Sequence, residues 1–244
     1  SKDDIEIILR LFNPDHLSKA ADPDQLTMYS ATVICTASKI DLDYLEKTDF
    51  STPIVLYNRS SQKYSNVLLA NEDIGAKAAE IFSSHGKKRA IIFSANNNHS
   101  YYNEKRLSGF INFFNSTGGI TTIINSNNNS LEAARNTIAD MESSFADADC
   151  VFCLEVLLAI SYVNYLRDKK LVDVPSSQEI ITIGVHDNTI YESLHIPLSV
   201  IEIPIETMST ECMRIVTNKL NGNYFQVESK KVTDFIYNPR LSCI

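Results

Sequence analysis

Glycine is scarce in this chain, with seven residues in 244. Loops that cradle phosphate need several glycines, because only they let the backbone approach an anion closely enough. The sequence accordingly contains no G-x-G-x-x-G and no G-x-x-x-x-G-K-[ST]. It has no G-x-S-x-G nucleophile turn and no H-E-x-x-H metalloprotease signature either. His186 and Asp187 are adjacent, a poor geometry for a carboxylate that orients an imidazole in a triad. The five histidines show no metal-ligand spacing. These absences give the expectation of no catalytic residue, no metal, no cofactor and no enzymatic activity.

Long apolar runs are also missing. Nothing approaches the roughly 18 residues of a membrane span, and the first residues, SKDD, do not open a signal peptide. Positive charge is sparse too: the formal net charge is −8, and the longest basic run is Lys87-Lys88-Arg89. A surface that grips phosphates needs clustered Lys and Arg, so this chain is not expected to bind nucleic acid itself. The five cysteines form an odd number set in apolar segments, which suits buried thiols in a reducing, cytoplasmic setting rather than a disulfide framework. Cys150-Val-Phe-Cys153 has redox or zinc spacing. It falls in an expected strand, however, where residues three apart point to opposite faces.

What is present is an alternation of strand and helix. Apolar, β-branched runs predict strands at 5–12, 31–37, 54–57, 66–69, 89–94, 120–124, 151–154, 180–185, 199–203 and 231–237. Helical periodicity predicts helices at 22–28, 41–47, 71–85, 104–115, 131–145, 155–168 and 205–220, with Ser130 an N-cap and Gly86 and Gly222 stops. Such alternation means an α/β fold with parallel sheets, and there are too many strands for one sheet of this size. The stretch 180–204, IITIGVHDNTIYESLHIPLSVIEIP, places a polar cluster just beyond a buried strand. In open α/β sheets that is where ligands bind.

Five segments then carry a family resemblance. TPIVLYNR at 52–59 resembles the pattern PVVLIDR. NEDIG at 71–75, followed by Ala79, is similar to DNxxGxxxA. YNEKRLSGF at 102–110 resembles SxxxRxxGF, and CVFCLEVLLA at 150–159 resembles AIFCANDLLA. The stretch with Pro175 upstream and Pro197-Leu198 inside resembles VPxDISVVGFDDT…PPLTTV. In this order they resemble the effector-binding, dimerising part of bacterial regulators of the lactose-repressor/galactose-repressor (LacI/GalR) family. The resemblance implies two Rossmann-like parallel-sheet subdomains of periplasmic-binding-protein type I, joined by three crossing segments around a ligand cleft. The crossings then lie near Asn71, Ile203 and Lys231. This gives an N-terminal subdomain of 1–71 plus 202–231 and a C-terminal one of 72–201 plus 232–244.

Carried over residue by residue, the resemblance implies a small-molecule effector, often a sugar, at Arg106. Arg59, Ser100, Tyr102 and Asn129 fall on rim positions. Leu154 stands where the family often has asparagine, and His186 where it usually has aspartate; both are departures that remove polar acceptors from the pocket. A homodimer is implied, with DNA reached through a helix-turn-helix head not in this chain, and without membrane contact. The family's first strand and helix have no counterpart before the run at 5–12. An extracytoplasmic solute carrier shares the architecture and is the alternative reading.

Overall fold

The computed structural model describes residues 6–13, 15–95, 101–169, 178–185, 189–222 and 226–244. In chain order the elements begin with two single-turn helices, α1 (Leu17–Ala20) and α2 (Pro23–Leu26). Next come β1 (Thr32–Cys35), α3 (Lys39–Lys47), β2 (Ile54–Tyr57), β3 (Ser65–Leu69) and α4 (Asn71–Ser84). There follow β4 (Arg89–Ala95), α5 (Tyr101–Ser116), β5 (Ile120–Ser126), α6 (Leu131–Asp140), α7 (Glu142–Ala146) and β6 (Cys150–Cys153). The remainder is α8 (Val156–Asp168), β7 (Glu179–Val185), α9 (Ile190–Ser193), β8 (Ser199–Ile203), α10 (Ile205–Leu220), β9 (Ser229–Val232) and β10 (Ile236–Asn238).

Local chemistry accounts for many of the boundaries. Asp22 caps α2 by accepting from the Asp24 N–H at 2.9 Å, with Pro23 in the first turn. Ser38 and Asp41 close a reciprocal capping box on α3. The Ser130 hydroxyl accepts from the Ala133 N–H at 3.2 Å and starts α6. Gly86 stops α4 in the left-handed region, at φ +74°, which a residue with a Cβ adopts only under strain.

The chain divides into two compact units: residues 1–68 with 209–230, and 69–208 with 231–244. It therefore crosses from one unit to the other three times. The smaller unit is built on the four-stranded sheet β1-β2-β3-β9, in which β1, β2 and β3 run parallel. Its core joins Leu17, Leu26, Ile34, Leu45, Ile54 and Leu56. The larger unit carries the six-stranded sheet β10-β8-β7-β6-β4-β5, parallel except for β10 at its edge. Strand alternation divides its apolar side chains between two faces. Ile91, Phe93, Val151 and Cys153 join the core under α6 and α8. On the other face Phe152 stacks on Phe110 of α5 at 5.2 Å between ring centroids. Helices thus cover both faces, as buried parallel strands require. The fold is α/β with parallel sheets, and no helix among the described residues is long and apolar enough to cross a membrane.

Three expectations change. Residues 6–12 are not a strand: Ile7, Leu9 and Leu11 are 79 %, 84 % and 88 % exposed, and β1 pairs only with β2 among the described residues. Apolar, β-branched composition does not make a strand without a partner edge. The helix at 131–145 breaks at Met141, whose φ −112° and ψ 24° leave the helical range. That break swings Phe145 into the core, 5.3 Å from Phe93 and 4.9 Å from Tyr162. The expected strand at 231–237 is two: β9 extends the β3 edge and β10 pairs antiparallel with β8. Each sheet takes its own share of that run.

Candidate ligand-binding site

Within the larger unit the parallel strands run in the order β5-β4-β6-β7-β8, so successive connections leave β4 in opposite directions. The carboxyl ends of β4 and β6 flank this switch point, where ligands bind in doubly wound sheets. β4 ends there at Ala95 and β6 at Cys153.

Four polar side chains gather at that end. Arg106, on α5, is only 5 % exposed and so is not the surface arginine that a helical position would ordinarily give. Its Nε donates to Asn71 Oδ1 at 3.0 Å and its Nη1 to Asn103 Oδ1 at 3.3 Å. The guanidinium lies 4.8 Å from the centre of the Tyr102 ring, a cation–π contact. Burial lowers the Arg106 pKa to about 10, against the opposing pull of Tyr102 and Glu155, and the group stays charged at neutral pH.

Glu155 precedes α8 but does not cap it. Its carboxylate reaches back to β4 and accepts from the Ala95 N–H at 3.1 Å and from Asn103 Nδ2 at 2.5 Å. Burial raises its pKa above the usual glutamate value, outweighing the Ala95 and Asn103 hydrogen bonds and the Arg106 charge. Asn71, Asn103, Arg106 and Glu155 thus form one linked network. Sequence reasoning found Arg106 but missed Asn71, Asn103 and Glu155 as site residues. The one trace of Glu155 in the sequence is a carboxylate directly after an apolar strand, which any helix-starting glutamate also shows.

Two glycines let α4 and α5 cross closely enough to bring Asn71 to Arg106. A Cβ added at Gly75 would lie 1.8 Å from the Arg106 carbonyl oxygen, and one at Gly109 would lie 2.0 Å from that of Glu72. Both contacts are with backbone, which no rotamer change relieves.

The other expected residues are placed as follows. Tyr102 is half-buried beneath Arg106. Asn129 is exposed in the turn after β5. Leu154 is 2 % exposed, and its N–H is bonded to the Phe93 carbonyl at 2.9 Å, so its side chain packs in the interior while Glu155 supplies the polar group. Ser100 and His186 lie outside the described residues. Arg59 belongs to the smaller unit and is 2 % exposed; its Nε donates to the Ala37 carbonyl and its Nη1 to the Asn58 carbonyl at 2.7 Å. It ties the turn after β1 to the end of β2. Thr36 and Asn58, at those same strand ends, have φ of +58° and +54°. Positive φ in a β-branched residue such as Thr36 is strained and concentrates at binding sites.

Residues 79–243 match the periplasmic binding protein-like domain. The chain belongs to that family. The family's domain covers the whole polar network apart from Asn71. No curated protein matches the sequence at a significant level. Among solved structures, this family member resembles a LacI family transcription regulator from Clostridium acetobutylicum. The two share 26 % identity over 87 % of this chain and 78 % of that one, with a TM-score of 0.79. A LacI family transcriptional regulator from Bifidobacterium animalis subsp. lactis shares the fold at 13 % identity, over 93 % of this chain and 82 % of that one, with a TM-score of 0.81. So does a periplasmic binding protein/LacI transcriptional regulator from Alkaliphilus metalliredigens, complexed with D-xylulofuranose. It is 15 % identical over 90 % of this chain and 80 % of that one, with a TM-score of 0.74. The likeness to a LacI-type effector-binding domain, legible in five sequence segments, therefore holds in three dimensions.

Proposed function

We propose that this domain is the effector-sensing core of a bacterial LacI-type transcription regulator and binds a small polyhydroxylated molecule at the switch point of its six-stranded sheet. The observation that carries this is the state of Arg106. Its guanidinium is buried, held on Nε and Nη1 and braced on Tyr102, while Nη2 makes no hydrogen bond to any described residue. A preorganised fork of donors suits a pair of hydroxyls or a carboxylate. The sugar bound by the Alkaliphilus relative makes a pentose a reasonable first probe. Ser100, Tyr102, Asn129 and His186 are the proposed neighbours of the ligand. Leu154 lines the site from below, and Arg59 shapes the strand ends of the smaller unit.

The signal then passes by differential affinity: the ligand favours one of two domain arrangements, and a homodimer conveys that preference to DNA-binding heads outside this sequence. The cytoplasm is the proposed setting. The test is a thermal-shift screen of pentoses, hexoses, disaccharides and small acids. A ligand at 100 times its Kd adds about 2.7 kcal/mol of stability to the state it binds. A hit that Arg106→Ala abolishes supports the reading. A hit that binds the variant equally well places the ligand elsewhere and overturns it.

A further inference from the structure

At the other end of the same sheet, where β7 begins, three side chains with metal-binding atoms meet. His85 follows the last turn of α4, Glu179 opens β7, and Cys243 lies near the chain's last residue. All three belong to the larger unit. No sequence signature announces them, because the pairs stand 94, 64 and 158 residues apart.

Their potential ligand atoms all lie within 4.8 Å of one another. His85 Nδ1 lies 3.0 Å from both carboxylate oxygens of Glu179. Cys243 Sγ lies 3.3 Å from Glu179 Oε2 and 3.9 Å from His85 Nδ1. A tetrahedral zinc ion with metal–sulfur near 2.3 Å and metal–nitrogen and –oxygen near 2.0 Å holds its ligand atoms about 3.3–3.6 Å apart. The nitrogen–oxygen and sulfur–oxygen separations are within roughly 0.3 Å of the corresponding edges, and the sulfur–nitrogen separation is within roughly 0.4 Å. A hydrogen-bonded cluster has no need to place all three pairs at that spacing at once.

We propose that His85, Glu179 and Cys243 bind one divalent ion of the zinc class, with a fourth, open position on the exposed His85 side. One nitrogen, one oxygen and one sulfur donor select such an ion over magnesium or calcium, which take oxygen ligands. On binding, the Cys243 thiol gives its proton to solvent and the thiolate, the carboxylate and the neutral imidazole together balance the ion's two charges.

Surrounding bonds hold the three ligands in place, as metal sites require. The Ile180 N–H donates to the Ser242 carbonyl at 2.7 Å, and Ser242 Oγ donates to the Ile180 carbonyl at 2.6 Å, which pins Cys243 beside Glu179. The Tyr237 hydroxyl donates to the Cys243 carbonyl at 2.9 Å. Lys87 Nζ, 3.7 Å from Glu179 Oε1, draws that oxygen outward and leaves Oε2, the one nearest Cys243, for the metal. This site stands independently of the proposed effector role.

The experiment is a titration of metal-free full chain with Co2+, displaced afterwards by Zn2+. One equivalent of Co2+ should give intense tetrahedral d–d bands and a sulfur-to-cobalt charge-transfer band. Cys243→Ser should abolish the charge-transfer band, and His85→Gln, at the exposed rim where folding is not at stake, should weaken binding at least ~10-fold. Cys150→Ser should leave both band sets intact. Absence of tetrahedral bands in the wild-type chain overturns the site. So do bands that persist unchanged in His85→Gln, or that vanish in Cys150→Ser and survive in Cys243→Ser.

Discussion

Gly75 and Arg106 meet backbone to backbone: a methyl group on the glycine would sit 1.8 Å from the arginine's carbonyl oxygen. The helix crossing that sets this contact also delivers the Arg106 side chain to Asn71, so packing and site geometry are one feature. Gly75→Ala and Gly109→Ala should each destabilise the fold by about 1–3 kcal/mol or more, because overpacking against backbone forces the helices apart. Urea unfolding measures this. An unchanged midpoint in either variant would mean that the helices separate freely.

Asn71 accepts from a buried donor. Asn71→Ala leaves the Arg106 Nε–H without that acceptor and should cost about 1–3 kcal/mol of stability without any ligand present. Arg106→Lys keeps the charge but loses the fork. It should weaken effector binding roughly tenfold or more, about 1.4 kcal/mol. Calorimetry with the screened ligand decides, and equal affinities in wild type and Arg106→Lys would contradict the role assigned to the fork.

Glu155 titrates above its ordinary value because burial disfavours its charge, more strongly than Ala95, Asn103 and Arg106 favour it. With the folded pKa raised above the unfolded value of about 4.3, its stabilising contribution is complete below that value. It declines as pH rises through the raised folded pKa. Glu155→Gln removes the dependence, so the stability of the variant relative to wild type should increase from pH 4 towards neutrality. A difference that stays flat over that range rules out a raised carboxyl.

Asp41 titrates in the opposite sense. Burial pushes its pKa up, but N–H donors from Ser38, Leu17 and Asp15 together outweigh that and hold it below the usual carboxylate range. Its contribution is present above the unfolded value of about 3.9 and is lost as pH falls through the lower folded one. Asp41→Asn should cost about 1–3 kcal/mol at pH 7 and loosen residues 15–20, which the carboxylate anchors. Hydrogen exchange at Leu17 reports it, and unchanged protection there would refute the anchor.

Much of both units was legible in the sequence. β2, β8 and α10 fall where their periodicity puts them, and Ser130 caps as its side chain dictates. Arg106 was found because the segment that carries it also carries the family pattern. Glu155 and Asn103 were not, since a single glutamate after a strand looks like any helix-starting residue until Ala95 and Asn103 close on it. The run at 5–12 misled for a related reason: apolar, β-branched composition is a local signal, and a strand exists only where the backbone pairs with a neighbour, which residues 6–12 do not do among the described residues.

The sequence alone determined what is local. Hydrophobic periods of 2.0 and 3.6 residues, caps and stops set the elements, their alternation set the α/β class, and the scarcity of glycine removed the phosphate loops. Only the tertiary structure decided which edges pair, that Arg106 is buried rather than solvated, and that residues 85, 179 and 243 share one spot. Those outcomes depend on contacts between residues far apart in the chain, and no local pattern encodes a distance that only the packed sheet imposes.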